Sequence, residues 1–284
     1  MPTDTIAFAE LEAWRKRYAD GLGAPDGWWS VTGLAWLGAE GASIGAHPDA
    51  LVCLPDGMED EVARLEVVPD GLRVQPVDLG RGNAELTLDG APLRHPVIVP
   101  PGRARLTVLD GGTALVDVFF RGGRWGARTY DPRQGASRDP REVAWFPPST
   151  GWRTEARVEQ PEASETMAFT DVLGETHVVP VAGRIRFVLG GQERELIASA
   201  DGDDLFVNFR DDTNGATDPA IRTYGAGRFL RVPAPVHGVS VVDFHRAYHP
   251  PCAHTAFALC PLPPAANRLP LAVLAGERLP STHH

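Results

Sequence analysis

Lysine is almost absent from this chain, and its scarcity excludes several classes of enzyme. Lys16 is the only lysine, and the other 26 of the 27 basic residues are arginines. Pyridoxal-phosphate enzymes and lysine aldolases need an amine that forms a Schiff base, and Walker-type nucleotide sites need a lysine beside a glycine-rich loop. Lys16 lies between Arg15 and Arg17 in a predicted surface helix, where we expect it to be solvated. The sequence therefore argues against these lysine-dependent chemistries.

Cysteine is also scarce, and long apolar runs are missing. The three cysteines, Cys53, Cys252 and Cys260, are too few for a disulfide framework, and their odd number favours a reducing compartment. Residues 1–8 have neither the basic region nor the apolar region of a secretory signal. No apolar run approaches the ~18 residues of a membrane span. We therefore expect a cytoplasmic protein with no membrane partner.

Positive charge is in deficit. The chain carries 27 basic and 37 acidic residues, for a net charge of −10 at pH 7. Nucleic acids and anionic membranes both select for clusters of lysine and arginine, so we expect neither as the main partner. A small molecule is the expected partner instead, and the sequence does not set the oligomeric state.

Glycine and proline, by contrast, are abundant. The chain has 30 glycines and 26 prolines, about a fifth of its length against ~12% on average. They separate short alternating runs, which is typical of an all-β chain. One helix precedes these runs, with Phe8, Leu11, Trp14 and Tyr18 spaced three or four residues apart, and we expect it to dock on the first β module. The sequence therefore predicts a mainly β fold with two antiparallel β modules, sandwich or barrel-like. One N-terminal α-helix precedes the modules, and a proline-rich C-terminal strap closes the second module.

Turn residues divide the chain into these parts. We predict the N-terminal helix over 1–22, an N-terminal β module over 23–135 and a C-terminal β module over 150–284, with the boundary in the irregular stretch 131–151. Strands are predicted at 65–67, 72–74, 86–88, 104–109, 113–120, 124–130, 175–179, 184–189, 193–199, 204–210, 227–232 and 239–246. Six prolines crowd the 21 residues from Pro250 to Pro270. Because proline lacks a backbone donor, this segment is predicted to be a strap and not a central strand.

Three blocks in the second half of the chain carry a family resemblance. The blocks are Phe209 to Gly215 with Thr223 to Leu230, Asp243 to Ala253, and Cys260 to Glu277. In order and spacing they resemble the domain-of-unknown-function family 1684, a bacterial family, and Trp36-Leu37 and the strand Arg124–Asp131 are similar to it more loosely. The family pattern has asparagine at the positions of His245 and His249, so a role for these histidines would belong to this chain. The resemblance implies a fold family and no particular reaction.

The first candidate site is a polar set from these blocks. Its members are Asp211, Thr213, Tyr224, Arg228, Asp243, His245 and Arg246. The guanidinium groups of Arg228 and Arg246 can each bind a carboxylate or phosphate at two points, and Tyr224 with the carboxylates would position the ligand. The alternative is that the same groups brace the fold internally, for example as an Arg228–Asp243 pair, or cap turns.

The second candidate site is a cluster of metal-ligating residue types. His245, His249 and Cys252, with Asp243 nearby, offer the imidazole, thiolate and carboxylate ligands that zinc and iron use. Their spacing matches no standard signature, and the alternative is a packed cysteine with half-exposed imidazoles in a proline-fixed turn. Cys252 and Cys260 could also pair, although two buried thiols are expected in a reducing compartment. We predict no cofactor, with zinc or iron as the alternative.

These observations lead to one expected function and two alternatives. We expect binding of a small anionic or polar ligand in a pocket of the C-terminal β module, and whether catalysis follows stays open. The first alternative is a metal-dependent hydrolase in which Asp243, His245 and His249 hold a metal-bound water. The second is an interaction or structural module whose polar residues only brace the strap, and it predicts no pocket beside Arg228.

Overall fold

The computed structural model describes residues 2–77 and 84–280, with side chains from residue 8 onward. The fold is mainly β, as predicted, with a long N-terminal helix and several antiparallel sheets. The chain divides into an N-terminal unit, Asp20–Asp139, and a C-terminal unit that combines Met1–Ala19 with Pro140–His284. Residues 281–284, at the end of the predicted C-terminal module, lie outside the described residues.

Short strands joined by tight turns build the N-terminal unit. The strands are β1 (Val31–Trp36), β2 (Ala42–Gly45), β3 (Val52–Cys53), β4 (Ala63–Val68), β5 (Gly71–Pro76), β6 (Glu85–Leu88), β7 (Ala91–Pro92), β8 (Val97–Val99), β9 (Arg103–Leu109), β10 (Thr113–Arg121) and β11 (Arg124–Tyr130). One sheet has the order β1-β11-β10-β9-β6-β7 and the other β3-β2-β4-β5-β8. Neighbouring strands are antiparallel except for the short parallel pair β2–β3. Two helical segments, Trp28–Ser30 (3-10) and α2 (Pro132–Ala136), flank the first sheet in sequence.

Alternating side chains form the core of this unit. Along β9, Ala104, Leu106 and Val108 are buried while their neighbours are more exposed, as the two-residue period of a strand requires. They belong to one apolar cluster with Leu65 and Leu72 of the other sheet. The unit therefore has a single core to which both sheets contribute.

The strands predicted in this unit are confirmed. Asp89 and Gly90 have φ angles of 48° and 80° and join β6 to β7, the left-handed pair that a type I′ hairpin needs. The strands predicted at 104–109, 113–120 and 124–130 are present as β9, β10 and β11, which pair in sequence order as a meander. Glycine and aspartate turns in the sequence were therefore sufficient to place these strands.

The N-terminal helix α1 spans Pro2–Leu22, and its aromatic side chains pack in the C-terminal unit. The ring of Trp14 lies 5.6 Å from that of Trp145, and the ring of Tyr18 lies 5.2 Å from that of Tyr248. The expected docking on the first β module is therefore wrong, because helical periodicity identifies an apolar face but not the surface that covers it. Within residues 2–77 and 84–280, no helix has both the length and the apolarity that crossing a bilayer requires.

One six-stranded antiparallel sheet dominates the described part of the C-terminal unit. The strands of the unit are β12 (Ala144–Trp145), β13 (Arg153–Glu159), β14 (Thr166–Thr170), β15 (Thr176–Pro180), β16 (Gly183–Leu189), β17 (Gln192–Asp201), β18 (Asp204–Phe209), β19 (Arg228–Val232), β20 (Val239–Asp243) and β21 (Glu277–Arg278). The main sheet has the order β19-β18-β17-β16-β13-β20, while β14 pairs with β15 and β12 with β21. Its core includes Ile185, Leu196, Val207 and Leu230.

The strand predicted over 239–246 ends earlier than expected. β20 stops at Asp243, and Phe244–Arg246 form a 3-10 turn. The Asp243 carboxylate caps this turn by accepting a hydrogen bond from the backbone N–H of His245. This side-chain hydrogen bond competes with the backbone hydrogen bonds of the strand. Aspartate is favoured at such turns because it can make a bond of this kind. Asp243 and His245 therefore meet through a turn and not as two positions on one strand face.

The proline-rich strap is present and ordered, and from here on the strap means residues 250–278, which include β21. Leu269, Val273 and Ala275 are buried in the core of the C-terminal unit. The buried side chain of Asn267 bonds to backbone groups of β17 and β18, including Ile197 N–H at 2.8 Å. The buried apolar side chains and the hydrogen bonds of the Asn267 side-chain amide together hold the strap, which has few strand hydrogen bonds of its own.

Candidate functional site

The predicted ligand-binding residues separate into three groups in the C-terminal unit. The groups are Asp211, Thr213 and Arg228 in a buried network, Asp243, His245 and Arg246 at the end of β20, and Tyr224 beside Cys252. The residues predicted as one site therefore have three different environments.

Arg228, the first residue of β19, is a fully buried brace. Its Nη2 donates to Asp211 Oδ2 at 2.7 Å and to Val273 O at 2.9 Å, and its Nη1 donates to Ala275 O. Neither side chain of the Arg228–Asp211 pair is exposed to solvent. A buried guanidinium needs a carboxylate and carbonyl acceptors of this kind to offset its desolvation. The carboxylate that braces Arg228 is thus Asp211 and not Asp243, and the arginine fixes the strap.

The second oxygen of Asp211 organises the turn that follows β18. Asp211 Oδ1 accepts hydrogen bonds from Thr213 N at 2.8 Å and from Thr213 Oγ1 at 2.6 Å. Thr213 Oγ1 also lies 2.8 Å from Thr223 Oγ1, and all three residues are buried. The hydrogen bonds of Asp211, Thr213 and Arg228 are therefore made to other protein groups in the interior. We place these three residues outside the candidate site.

Four side chains, which we call the Asp243 cluster, meet at the end of β20: Arg153, Asp243, His245 and Arg246. Arg153 on β13 lies directly opposite Asp243 in the antiparallel register. His245 Nδ1 lies 2.8 Å from Asp243 Oδ1, while Arg153 Nε and Arg246 Nε lie 3.9 and 3.8 Å from Asp243 Oδ2. The two arginine distances are those of ion pairs and exceed hydrogen-bond length.

His245 holds the Asp243 carboxylate in place. Its backbone N–H donates to Asp243 Oδ1 at 3.1 Å, in addition to the contact of its ring. On the other side of the ring, Nε2 lies 3.0 Å from Ser149 O. The ring is largely buried between these partners. His245 thus connects Asp243 to the loop that contains Ser149.

The two arginines of the cluster retain unused donors. Their side chains are 63% exposed for Arg153 and 40% exposed for Arg246. Across the described part of the chain, neither guanidinium makes a hydrogen bond, and Arg246 Nε is buried without a partner. Arg15, which donates to Glu12 Oε1 at 3.1 Å, contributes a further positive charge within electrostatic range of Asp243. Positive charge therefore exceeds negative charge around Asp243.

Tyr224 contacts a pair of cysteines. The backbone N–H of Cys252 donates to Cys260 Sγ at 3.1 Å. Hydrogen bonds from the Cys260 thiol and then from the Tyr224 hydroxyl favour the thiolate of Cys252, and they lower its pKa to about 7 although burial opposes the shift. Burial and the hydrogen bond to Cys252 raise the pKa of Tyr224 to about 12.

A buried carboxylate, Glu277, joins the strap to α1. Glu277 Oε2 accepts hydrogen bonds from His249 N at 2.7 Å and from the Tyr18 hydroxyl at 3.0 Å, and His249 Nδ1 lies 3.2 Å from Oε1. Burial alone would raise the pKa of Glu277, but His249 and then His254 hold it at about 2. His249 Nε2 in turn accepts from the Tyr224 backbone N–H at 3.2 Å. Both nitrogens of His249 therefore face protein groups.

The residues predicted as metal ligands do not converge. His245, His249 and Cys252 each contact a different set of protein groups, given above, and their ligand atoms form no common group. The prediction joined them because they are close in sequence, but the 3-10 turns of this segment direct their side chains to different partners. The structure therefore does not assemble the predicted zinc or iron site.

Another set of ligand atoms does meet, in the β14–β15 hairpin. Among the described residues, a group of three such atoms within 4.8 Å of one another is found at Asp171, Glu175 and His177. Asp171 Oδ1 accepts from the backbone N–H of Leu173 and of Glu175, and Oδ2 lies 2.8 Å from His177 Nε2. Both carboxylate oxygens of Asp171 thus already organise the turn between the two strands.

A cavity of about 660 Å³ lies in the N-terminal unit. Its walls carry charges of both signs, and ion pairs join Arg64 to Glu61 and Arg73 to Glu66 there. All of its lining residues belong to the N-terminal unit. It is therefore not the pocket that was expected in the C-terminal module.

Sequence reasoning missed two contributors to these sites. Arg153 lies outside the three sequence blocks, and only the register of β13 against β20 brings it to Asp243. The helical spacing predicts Tyr18 on the apolar face of α1, whereas in the structure its hydroxyl reaches Glu277. For Tyr18, the available signal was its hydroxyl group, because a buried tyrosine hydroxyl usually has a hydrogen-bond partner. No signal in the sequence gives the register of strands that are 80 residues apart.

Comparison with known proteins gives a family and a distant structural neighbour. Residues 140–278 match the model of the family described as "Protein of unknown function (DUF1684)". The N-terminal segments that appeared similar to this family, Trp36-Leu37 and Arg124–Asp131, lie outside the matched range. A solved structure, the uncharacterized protein from gene locus rrnAC0354 of Haloarcula marismortui, aligns at 32% identity with a TM-score of 0.39, covering 48% of this chain and 75% of that one. No curated protein matches. Residues 140–278, just under half of the chain, are thus similar to the DUF1684 family.

Proposed function

We propose that the C-terminal unit binds a small anionic molecule at the Asp243 cluster. One observation carries the proposal: the guanidinium groups of Arg153, which is exposed, and of Arg246, which is half-buried, converge on one carboxylate oxygen without hydrogen-bonding to it. Their donors remain available to a ligand. A carboxylate or phosphate accepts from such groups at two points, which fixes both its position and its orientation.

The charges around the cluster favour an anion. Arg153, Arg246 and the nearby Arg15 carry three positive charges, whereas Asp243 and the Glu12 partner of Arg15 carry two negative charges. Interactions between partly exposed charges are screened, so the excess charge contributes modestly and the hydrogen bonds supply most of the specificity. The excess of one positive charge favours an anionic ligand over a neutral one.

Asp243 positions the arginines and does not contact the ligand in this proposal. Its Oδ1 is held by the ring and backbone of His245, and its Oδ2 faces both guanidinium groups. This arrangement keeps two flexible side chains near each other before a ligand arrives, which lowers the entropy cost of binding. Of the residues predicted from sequence, the proposal retains Asp243, His245 and Arg246.

Binding can be tested with defined anions. Inorganic phosphate, pyrophosphate and citrate are titrated by calorimetry and by thermal denaturation, with sodium chloride keeping the ionic strength constant. We expect at least one of them to bind and to raise Tm. Arg153→Gln and Arg246→Gln should each weaken that binding at least about tenfold, since each removes one two-point contact.

Arg157→Gln is the matched control, because Arg157 is an exposed arginine on the same strand. It should leave the affinity unchanged. The proposal is wrong if no anion binds beyond the effect of ionic strength, or if all three arginine variants weaken binding equally. Either result would favour a module that only braces its own strap.

A further inference from the structure

Cys252 and Cys260 form a close pair that the anion site does not use. Cys252 lies in the 3-10 turn Pro251–Ala253, and Cys260 directly precedes Pro261. The backbone N–H of Cys252 donates to Cys260 Sγ at 3.1 Å, so the two cysteines are in direct contact. A disulfide joins cysteines whose Cα atoms are about 4.4–6.8 Å apart, so contact of this kind is the proximity that it requires.

The surroundings of the pair favour a thiolate on Cys252. The Cys260 thiol and the Tyr224 hydroxyl both donate hydrogen bonds to its sulfur, and the pKa of Cys252 is lowered to about 7. Near neutral pH a large fraction of Cys252 is therefore the nucleophilic thiolate. The pKa of Tyr224, about 12, keeps its hydroxyl protonated as a donor across the same range.

The two cysteines differ in their access to solvent. Cys252 is partly exposed, whereas Cys260 is buried, with 3% of its surface accessible. A small oxidant can therefore reach Cys252 first, and Cys260 is placed to react with whatever forms there. Cys53, in the N-terminal unit, is exposed and serves as a reference thiol in the same chain.

We propose that Cys252 and Cys260 are a peroxide-reactive dithiol that closes reversibly to a disulfide. The Cys252 thiolate attacks one oxygen of a hydroperoxide, and an S–O bond forms as the O–O bond breaks. The departing hydroxide or alkoxide takes up a proton, and Cys252 is left as a sulfenic acid. The Cys260 sulfur, on losing its proton, then attacks the Cys252 sulfur, so that the S–S bond forms and the S–O bond breaks. The hydroxyl group leaves as water, and the two thiols have supplied the two electrons that reduce the peroxide.

A thiol reductant reverses the reaction by exchange at the disulfide. Disulfides in reducing compartments are usually transient and catalytic or redox-sensing, so the compartment expected from the cysteine count is compatible with this chemistry. Tyr224 is a positioning residue in this scheme, because it holds the thiolate of Cys252 and exchanges no electrons. The dithiol is separate from the Asp243 cluster in its residues, so either proposal can fail without the other.

The reaction is followed by intact-mass spectrometry of the full chain carrying Cys53→Ser. Treatment with a small excess of hydrogen peroxide should lower the mass by two hydrogens, and peptide mapping should find Cys252 linked to Cys260. Dithiothreitol should restore the original mass. In Cys260→Ser the product should instead be a sulfenic acid on Cys252, which dimedone traps.

Two further measurements keep the proposal testable if a cysteine variant fails to fold. In the wild-type chain, iodoacetamide should label Cys252 at least several times faster than Cys53 at pH 7, as read from peptide masses. In Tyr224→Phe the pH profile of labelling at Cys252 should move to higher pH, a change that a purely structural tyrosine would not produce. The proposal is overturned if peroxide leaves the two thiols intact, or if Cys252 reacts no faster than Cys53.

Discussion

Individual buried charges stabilise the C-terminal unit, and Arg228 shows the largest expected effect. Replacing it by methionine, Arg228→Met, leaves Asp211 buried without its cation and removes the bonds to the strap carbonyls. We expect a loss of about 3–5 kcal/mol in the free energy of unfolding, measured by urea denaturation.

Arg231→Gln is the control for this substitution. Arg231 pairs with Asp201 on the surface, where its side chain is 60% exposed, and such pairs contribute at most about 1 kcal/mol. Equal and small effects of the two variants would contradict the assignment of Arg228 as a brace.

Glu277 gives the fold a specific dependence on pH. Its pKa falls from an ordinary value of 4.5 to about 2 in the folded protein. Ionised Glu277 therefore stabilises the fold fully above about pH 4.5, and this contribution, on the order of 3 kcal/mol, is lost as the pH falls through about 2. We expect Glu277→Gln to flatten the dependence of stability on pH between these values. Glu155→Gln, at an exposed position of β13, should keep the wild-type slope, and identical slopes for both variants would contradict this account.

Among the structural elements, the strap depends on one side chain in particular. Asn267 Oδ1 accepts from Ile197 N–H, and its Nδ2 donates to the carbonyls of Ile197 and Asn208. Asn267→Ala leaves these buried backbone groups unpaired, so we expect a loss of about 1–3 kcal/mol and faster hydrogen exchange at the Ile197 amide. The neighbouring Arg268→Ala, at an exposed position with a 3.6 Å ion pair to Asp212, should change neither quantity measurably. Unchanged exchange in Asn267→Ala would show that apolar contacts alone hold the strap.

How well the sequence predicts each of these elements depends on how far apart in the sequence the interacting residues lie. Asp89-Gly90 and the meander of β9 to β11 are encoded by neighbouring residues, and the sequence was sufficient to place them. The end of β20 at Asp243 depends on competition between a side-chain cap and the strand ladder, so its position was missed by three residues. The Arg228–Asp211 pair and the approach of Arg153 to Asp243 depend on strand register, which no local pattern encodes. For the same reason, one predicted site became three separate groups.

For the molecule as a whole, the assignment of α1 to the C-terminal unit connects residues that are far apart in the sequence, such as Tyr18 and Glu277. Residues 1–19 cluster with residues 140–284, and Tyr18 contacts the strap near the other end of the chain. Periodicity predicted the helix but not its partner. Consequently a unit defined by a continuous stretch of sequence would omit the helix that supplies a partner to buried Glu277.

The bond from Tyr18 to Glu277 tests this assignment directly. Tyr18→Phe keeps the aromatic contacts with Trp145 and Tyr248 but removes the hydroxyl that donates to the carboxylate at 3.0 Å. Hydrogen bonds to buried charged groups contribute about 1.5–3 kcal/mol, and we expect a loss of stability in that range. The loss should be accompanied by faster hydrogen exchange at the amide of His249, which donates to the same oxygen. Arg17→Ala, at the adjacent exposed position of α1, should stay within about 0.5 kcal/mol of the wild type. If Tyr18→Phe changes neither stability nor exchange at His249, the helix does not depend on this contact, and its place in the C-terminal unit would rest on aromatic packing alone.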